Sequence, residues 1–190
     1  MRQKDDMNEL DDTYYIRKIL DGDMEFFSRL VDRYSHRVYL LILKIVRYKE
    51  EAEELTQDVF VKVFQVLHSF KGDCRFSTWL YRIAYNTAIS ATRKKKREFL
   101  YIEENTIDNV LDEKVQETLD DEQNEEQLQK LEKAVSLLPP DERGLISLFY
   151  NEAHSIEEIA EITGLSVSNI KVKLHRVRKK LYVILKEEIS

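Results

Sequence analysis

The sequence predicts an all-α fold: two small helical domains joined by an acidic flexible linker, with a helix-turn-helix as the C-terminal domain. Three observations carry that reading. Only 4 Gly and 2 Pro occur among 190 residues, too few for the many turns of a sandwich or barrel. Apolar residues recur at helical spacing from Asp23 to about Lys96, and again from Leu128 to the end. Between them, residues 98–127 hold twelve acids and one base, Lys114. That stretch carries −11 against −6 for the whole chain, so the rest carries +5. At 43% hydrophobic and 35% charged, the composition is globular.

Each element follows in order. Residues 1–22 read as an N-terminal leader. Asp21-Gly22-Asp23 can cap a first helix whose stripe includes Phe26, Phe27, Leu30 and Tyr34. A second helix is expected over about His36 to Tyr48, and a third over about Lys49 to Ser69. Lys71-Gly72-Asp73 breaks the pattern, and a fourth helix runs from near Ser77 into the basic run Arg93-Lys94-Lys95-Lys96-Arg97. The first domain is thus 23–97, the linker 98–127 with one transient helix, and the second domain 128–190. Helical pattern resumes at Leu128 and stops at Pro139-Pro140.

The longest apolar run, Val38 to Val46, contains Lys44 and falls short of the ~20 residues that span a bilayer. The opening residues have no apolar core of a signal peptide. The single Cys74 cannot form an intramolecular disulfide, and no Cys/His cluster suggests a metal. The expectation is a cytoplasmic protein without metal or other cofactor.

The C-terminal domain carries the sharpest local pattern. Ser155-Ile156-Glu157-Glu158 has the form of a capping box. The helix it opens buries Ile156, Ile159 and Ala160, and Gly164 supplies a left-handed turn. Ser166 or Ser168 then caps a helix with the stripe Ile170, Leu174, Val177 and Leu181. Ala160, Gly164 and Ile170 stand where a helix-turn-helix needs a small contact residue, a turn glycine and a buried anchor. Opposite the stripe lie Ser168, Val172, His175 and Lys179, flanked by Lys171 and Arg176. Lys173, Arg178 and Lys180 sit further round. No acid occurs from Ser166 through Lys186, which suits a phosphate-lined groove.

In the first domain, the third helix buries Ala52, Leu55, Val59, Val63 and Val66. Glu54, Gln57, Asp58, Val61 and Gln65 share its other face, which reads as a partner surface. On the fourth helix Trp79, Ile83, Asn86 and Ser90 share a face that turns from aromatic to polar, between a Gly-containing loop and five bases. Aromatic and amide groups beside cations are what unstacked single-stranded bases require.

Ala52-Glu53-Glu54-Leu55-Thr56-Gln57-Asp58-Val59-Phe60, Phe70-Lys71-Gly72 and Phe76-Ser77-Thr78-Trp79-Leu80-Tyr81-Arg82-Ile83-Ala84-Tyr85-Asn86 closely resemble the second conserved region of bacterial sigma factors. Leu138-Pro139 and Arg176-Val177-Arg178-Lys179-Lys180-Leu181 resemble the fourth. Blocks 23–97 and 128–185 fit the extracytoplasmic-function group, which keeps only these two domains. Gly144 inside a helix, and Ala153-His154 where the family often has a glycine turn, are small departures.

The resemblance implies a transcription initiation factor that binds core RNA polymerase and promoter DNA, duplex and melted, with no catalytic residues. An anti-sigma factor is a further partner it leaves open. For core binding it implies Glu54, Leu55, Gln57, Asp58 and Val61. For the minus-ten element it implies Lys71, Gly72, Asp73, Arg75 and Phe76 in the loop, then Trp79, Asn86, Ser90, Arg93 and Lys94 on the helix. For the minus-thirty-five element the candidates are Ser168, Asn169, Lys171, Val172, Lys173, His175, Arg176 and Lys179. Two rival functions remain. A dimeric helix-turn-helix repressor or activator binding DNA unaided leaves the 52–90 block unexplained. A helical adaptor that binds only protein makes the acid-free helix accidental.

Overall fold

The computed structural model describes residues 12–94, 104–112, 115 and 125–188. Among them every regular element is helical, and no strand occurs. They group into two compact units. One holds the residues up to Lys94 with Glu161–Gly164, the other Lys95–Ala160 with Leu165–Ser190.

The first unit opens with α1, residues 12–20. Asp12, Ile16 and Ile19 are buried at i, i+4 and i+7, one face of a helix. The leader expected over 1–22 is therefore corrected from residue 12 onward. Tertiary burial holds this segment, and its short stripe carries too weak a periodicity to announce itself. Arg33 Nη1 donates to Asp12 Oδ1 at 2.6 Å, and the Tyr34 hydroxyl donates to Asp12 Oδ2. Gly22, at φ 101°, turns the chain, and the amide of Glu25 donates to Asp23 Oδ1 at 3.3 Å.

α2 spans Glu25–Val46 without interruption. The two helices expected over this stretch are one, because nothing between Tyr34 and Val38 breaks the stripe Leu30, Tyr34, Val38, Leu41, Ile42 and Ile45. Arg47 ends it in the left-handed conformation, φ 73°, and its amide donates to the Leu43 carbonyl at 2.8 Å. α3, Lys49–Val66, runs on through a 3-10 turn to Ser69, as expected. It buries Ala52, Val59, Phe60 and Val63, while Leu55 and Val66 are only half-buried. After a loop, α4 spans Phe76–Lys94, and α2, α3 and α4 pack on one another.

In the second unit, α5 is Glu104–Asp108, within the stretch expected as linker. α6 is Glu125–Leu137, and Pro139-Pro140 separates it from α7, Pro140–Ile146, with Pro at the first position where its missing N–H costs nothing. Arg143 is 3% exposed, yet its guanidinium donates back to the Leu138 and Ser136 carbonyls beside the end of α6. It thereby satisfies orphan acceptors with a positive charge at a helix C-terminus. A π turn, Ser147–Asn151, leads to α8, Ile156–Thr163, and α9, Val167–Glu188. α5, α6 and α7 all pack on α9.

The Asp12 network generates a test. Burial, then the hydrogen bond to Asp12, pushes the Tyr34 phenol well above its ordinary value. A raised folded pKa means the unfolded chain loses this proton first as pH climbs past ~10. The stability tied to neutral Tyr34 is thus complete below pH ~10 and declines above it. Tyr34→Phe should flatten that alkaline loss in urea titrations relative to wild type. Asp12→Ala should lower stability by about 1–3 kcal/mol at neutral pH, since it strands a buried hydroxyl. Unchanged denaturation midpoints for Asp12→Ala would show that α1 is not anchored this way.

Candidate nucleic-acid interface

The helix-turn-helix is capped as its sequence requires. The Glu158 amide donates to Ser155 Oγ at 3.1 Å, and the Ser155 amide donates to Glu158 Oε2 at 2.9 Å, a reciprocal capping box. Gly164 takes φ 75° in the turn, and Ser166, rather than Ser168, accepts from the Asn169 amide at 3.2 Å. Ala153 stands at φ 53°, in the left-handed region, so this turn carries a steric cost of about 1–2 kcal/mol.

On α9 the stripe Ile170, Leu174, Val177 and Leu181 is buried, as expected. Ser168, Asn169, Lys171, Val172 and His175 are exposed, and Arg176 is half-buried. Val172 keeps 54% of its surface in solvent, which a core residue would not.

The remaining bases are already engaged. Lys173 Nζ lies 2.9 Å from Asp141 Oδ2, and Lys180 pairs with Glu142, both acids of α7. Arg178 Nε donates to the Tyr150 hydroxyl at 2.7 Å and stacks on the rings of Phe149 and Tyr150. Lys179, expected in the open, keeps only 14% of its side chain exposed and lies 3.1 Å from Asp112 Oδ1. Lys173 and Lys179 thus meet acids contributed by neighbouring segments, which a reading of α9 alone could not see.

In the first unit, Gly72 turns the loop at φ 78°, and Lys71, Asp73 and Arg75 are exposed beside it. Cys74 is half-buried, and burial pushes its thiol pKa up, so it sits as a quiet thiol. Phe76 is 3% exposed and belongs to an aromatic cluster. Its ring centroid is 5.6 Å from Tyr34, 5.8 Å from Phe70 and 5.9 Å from Trp79. The expectation of Phe76 as a contact residue is corrected: it anchors the loop from below. Trp79 and Ile83 are half-buried, while Asn86, Ser90 and Arg93 are exposed. The α4 face therefore runs from packed aromatic to open amide. The side chain of Lys94, and Lys95 to Arg97, lie outside the described residues.

On α3, Glu54, Gln57, Asp58 and Val61 are exposed and Leu55 is half-buried. The same surface includes Phe64, 45% exposed, with its ring 5.0 Å from that of Phe27. Sequence reasoning missed Phe64. The available signal was a large apolar residue three positions after Val61 and outside the buried stripe.

The sigma-70 region 2 family model matches residues 30–98, and the sigma-70 region 4 model matches residues 128–181. An extracytoplasmic-function RNA polymerase sigma factor of Bacillus subtilis, SigW, is 32% identical over 179 residues, covering 87% of this chain and 92% of the relative. The chain belongs to the extracytoplasmic-function sigma factors. Two solved structures share the fold. CnrH, in complex with the cytosolic domain of CnrY, has a TM-score of 0.67 at 21% identity, over 93% of this chain and 98% of that one. The Bartonella quintana sigma factor RpoE, in complex with the anti-sigma factor NepR, has a TM-score of 0.61 at 23% identity, over 84% and 96%. The membership disfavours both rivals, since it accounts for the α3 and α4 surfaces together with α9.

The two classes of base on α9 predict separable effects of substitution. Lys180→Ala leaves Glu142, whose side chain is 14% exposed, without its cation and should cost about 1–3 kcal/mol. Lys171→Ala, at an exposed position, should stay within about ±0.5 kcal/mol. Urea denaturation of the two variants checks this, and equal stabilities would remove the division.

Proposed function

We propose that this sigma factor binds core RNA polymerase through the outer face of α3, reads the minus-thirty-five element with α9 and captures an unpaired minus-ten base at α4. It performs no covalent chemistry and works in the cytoplasm, with an anti-sigma factor as a third partner. The observation that carries the reading is α9 itself. Its back is sealed, and its exposed front, from Ser168 to His175, holds no acid of its own.

Lys171 and Arg176 supply phosphate or base contacts, and phosphate contacts fix register while base contacts specify sequence. Ser168, Asn169 and His175 complete the reading face, and the exposed Val172 suits apolar contact with a thymine methyl. At α4, Asn86 offers one donor pair and one acceptor, the complement of a Watson–Crick edge, above the aromatic base formed by Trp79. Lys71, Asp73 and Arg75 beside Gly72 form the rim, with Ser90 and Arg93 continuing toward the backbone. Melting is then selection: the pocket binds only an unpaired base, and that binding offsets the few kcal/mol lost in unstacking. On α3, Glu54, Gln57 and Asp58 give the clamp surface its charge, and Leu55, Val61 and Phe64 give it apolar area.

Transcription in vitro with core polymerase on genomic fragments tests the whole proposal, and absence of any specific start sites would sink it. Asp58→Lys should weaken co-purification with core polymerase while leaving the fold within about ±0.5 kcal/mol. Asn86→Ala should spare core binding but lower open-complex yield on duplex promoters by roughly five- to tenfold, the scale of one or two lost hydrogen bonds. Full base discrimination by Asn86→Ala on a pre-melted promoter would reduce this residue to a structural role.

A further inference from the structure

The acidic stretch between the two family-matched blocks does more than connect them. Its described part, 104–112 and 115, belongs to the same compact unit as α9, and α5 packs on that helix. Ile107 is 1% exposed and Val115 6%, in a stretch otherwise dominated by acids. Between these two anchors, the Val110 amide closes a turn onto the Ile107 carbonyl at 3.2 Å, and the Val115 amide donates to the Leu111 carbonyl at 3.3 Å. Asp112 is thereby placed over the reading helix. Its Oδ1 lies 3.4 Å from His175 Nε2 and 3.1 Å from Lys179 Nζ.

His175 and Lys179 are one helical turn apart on the face opposite the buried stripe. A carboxylate shared between them occupies the place a backbone phosphate oxygen would take. We propose that segment 104–112, with Val115, is an intramolecular competitor of DNA, in which Ile107 and Val115 dock the segment and Asp112 stands in for a phosphate on α9. The proposal rests on the reading of α9 as a DNA-binding helix and adds a control to it. The carboxylate is 70% exposed, so the ion contacts alone are too weak to hold the segment. The buried apolar pair gives the docking its persistence, and the charge gives it its target. Docking and DNA binding are mutually exclusive at Lys179. A face available a fraction f of the time shows its intrinsic dissociation constant divided by f, so a segment docked nine-tenths of the time weakens DNA binding about tenfold.

The test uses the full chain and a short fluorescein-labelled duplex of random sequence at low salt, read by anisotropy. The release variant, Ile107→Ser with Val115→Ser, should bind about three- to tenfold more tightly than wild type. It should also show a steeper salt dependence, because Lys179 becomes available to a phosphate. Asp112→Asn retains both docking anchors and should tighten binding by about two- to fivefold, which keeps the idea testable if the double variant folds poorly. Hydrogen exchange at 104–112 in wild type should accelerate when duplex is added. Lys171→Ala, which lies outside the docked contacts, is placed in the release variant to check that α9 is the binding face.

Equal affinities of wild type, Asp112→Asn and the release variant, with Lys171→Ala still weakening binding, would overturn the competitor and leave α9 as a DNA reader. Loss of the Lys171→Ala effect, or no duplex binding by the release variant, would overturn the DNA reading and the competitor with it.

Discussion

The burial of Ile170, Leu174, Val177 and Leu181 is the constraint from which the chemistry of the second unit follows. Each fully buried aliphatic side chain contributes about 1.5–3 kcal/mol, against about 0.2–1 kcal/mol for an exposed ion pair. The stripe therefore sets the rotation of α9 about its axis, and the charges take whatever direction that rotation gives them. Lys171 and His175 are turned to solvent, while Lys173 and Lys180 are turned to the acids of α7. A helix with so many bases and no acid before Glu187 repels itself over most of its length. The pairs to Asp141 and Glu142 relieve that repulsion on one flank without touching the front.

The first unit obeys the same logic with aromatic groups. The stripe of α2 carries Tyr34 into contact with Phe76, and Phe76 in turn supports Phe70 and Trp79. The loop containing Gly72 is thus pinned at both ends by rings that pack in tilted and edge-on geometries, each worth about 0.5–1.5 kcal/mol beyond area. On the proposed reading of α4, a surface that holds an unstacked base needs its own groups fixed beforehand, because any ordering left until binding subtracts from affinity. The rigid floor under Trp79 meets that need, while Asn86 stays in the open.

What was legible in the sequence is what local chemistry decides. The capping box at Ser155, the left-handed Gly164 and the phase of α9 each depend on residues a few positions apart, so pattern alone placed them. The paired fates of Lys173 and Lys179 were not legible, since their partners Asp141 and Asp112 come from segments 32 and 67 positions away. Phe76 was misassigned for a related reason. A motif tells which residues occur together, but burial tells which of them face the ligand. The middle of α2, from Val31 to Arg37, is weakly apolar in sequence. The buried side of that middle continues unbroken through Tyr34 and Val38. α1 has no strong signature because Ile16 and Ile19 make only a short apolar stripe, and its third buried residue, Asp12, is an acid.

The distribution of charge has a consequence for how tightly such a chain can hold DNA by itself. Association with a duplex gains from each phosphate neutralised, and that gain falls steeply with salt. On α9, Lys173, Lys180 and Arg178 are committed to protein partners, and Lys179 to Asp112. On the front, Lys171 is exposed and outside these pairs, and Arg176 is half-buried beside it. Few phosphate contacts mean modest affinity for duplex of any sequence, and a larger relative weight for contacts to base edges. A factor that directs a second, larger protein to particular sites benefits from that balance. Tight binding to arbitrary DNA would titrate the factor away from promoters, since non-specific sites vastly outnumber specific ones. The ion pairs that steady α9 against α7 therefore also limit its non-specific attraction to DNA, and one arrangement of charges serves both stability and discrimination.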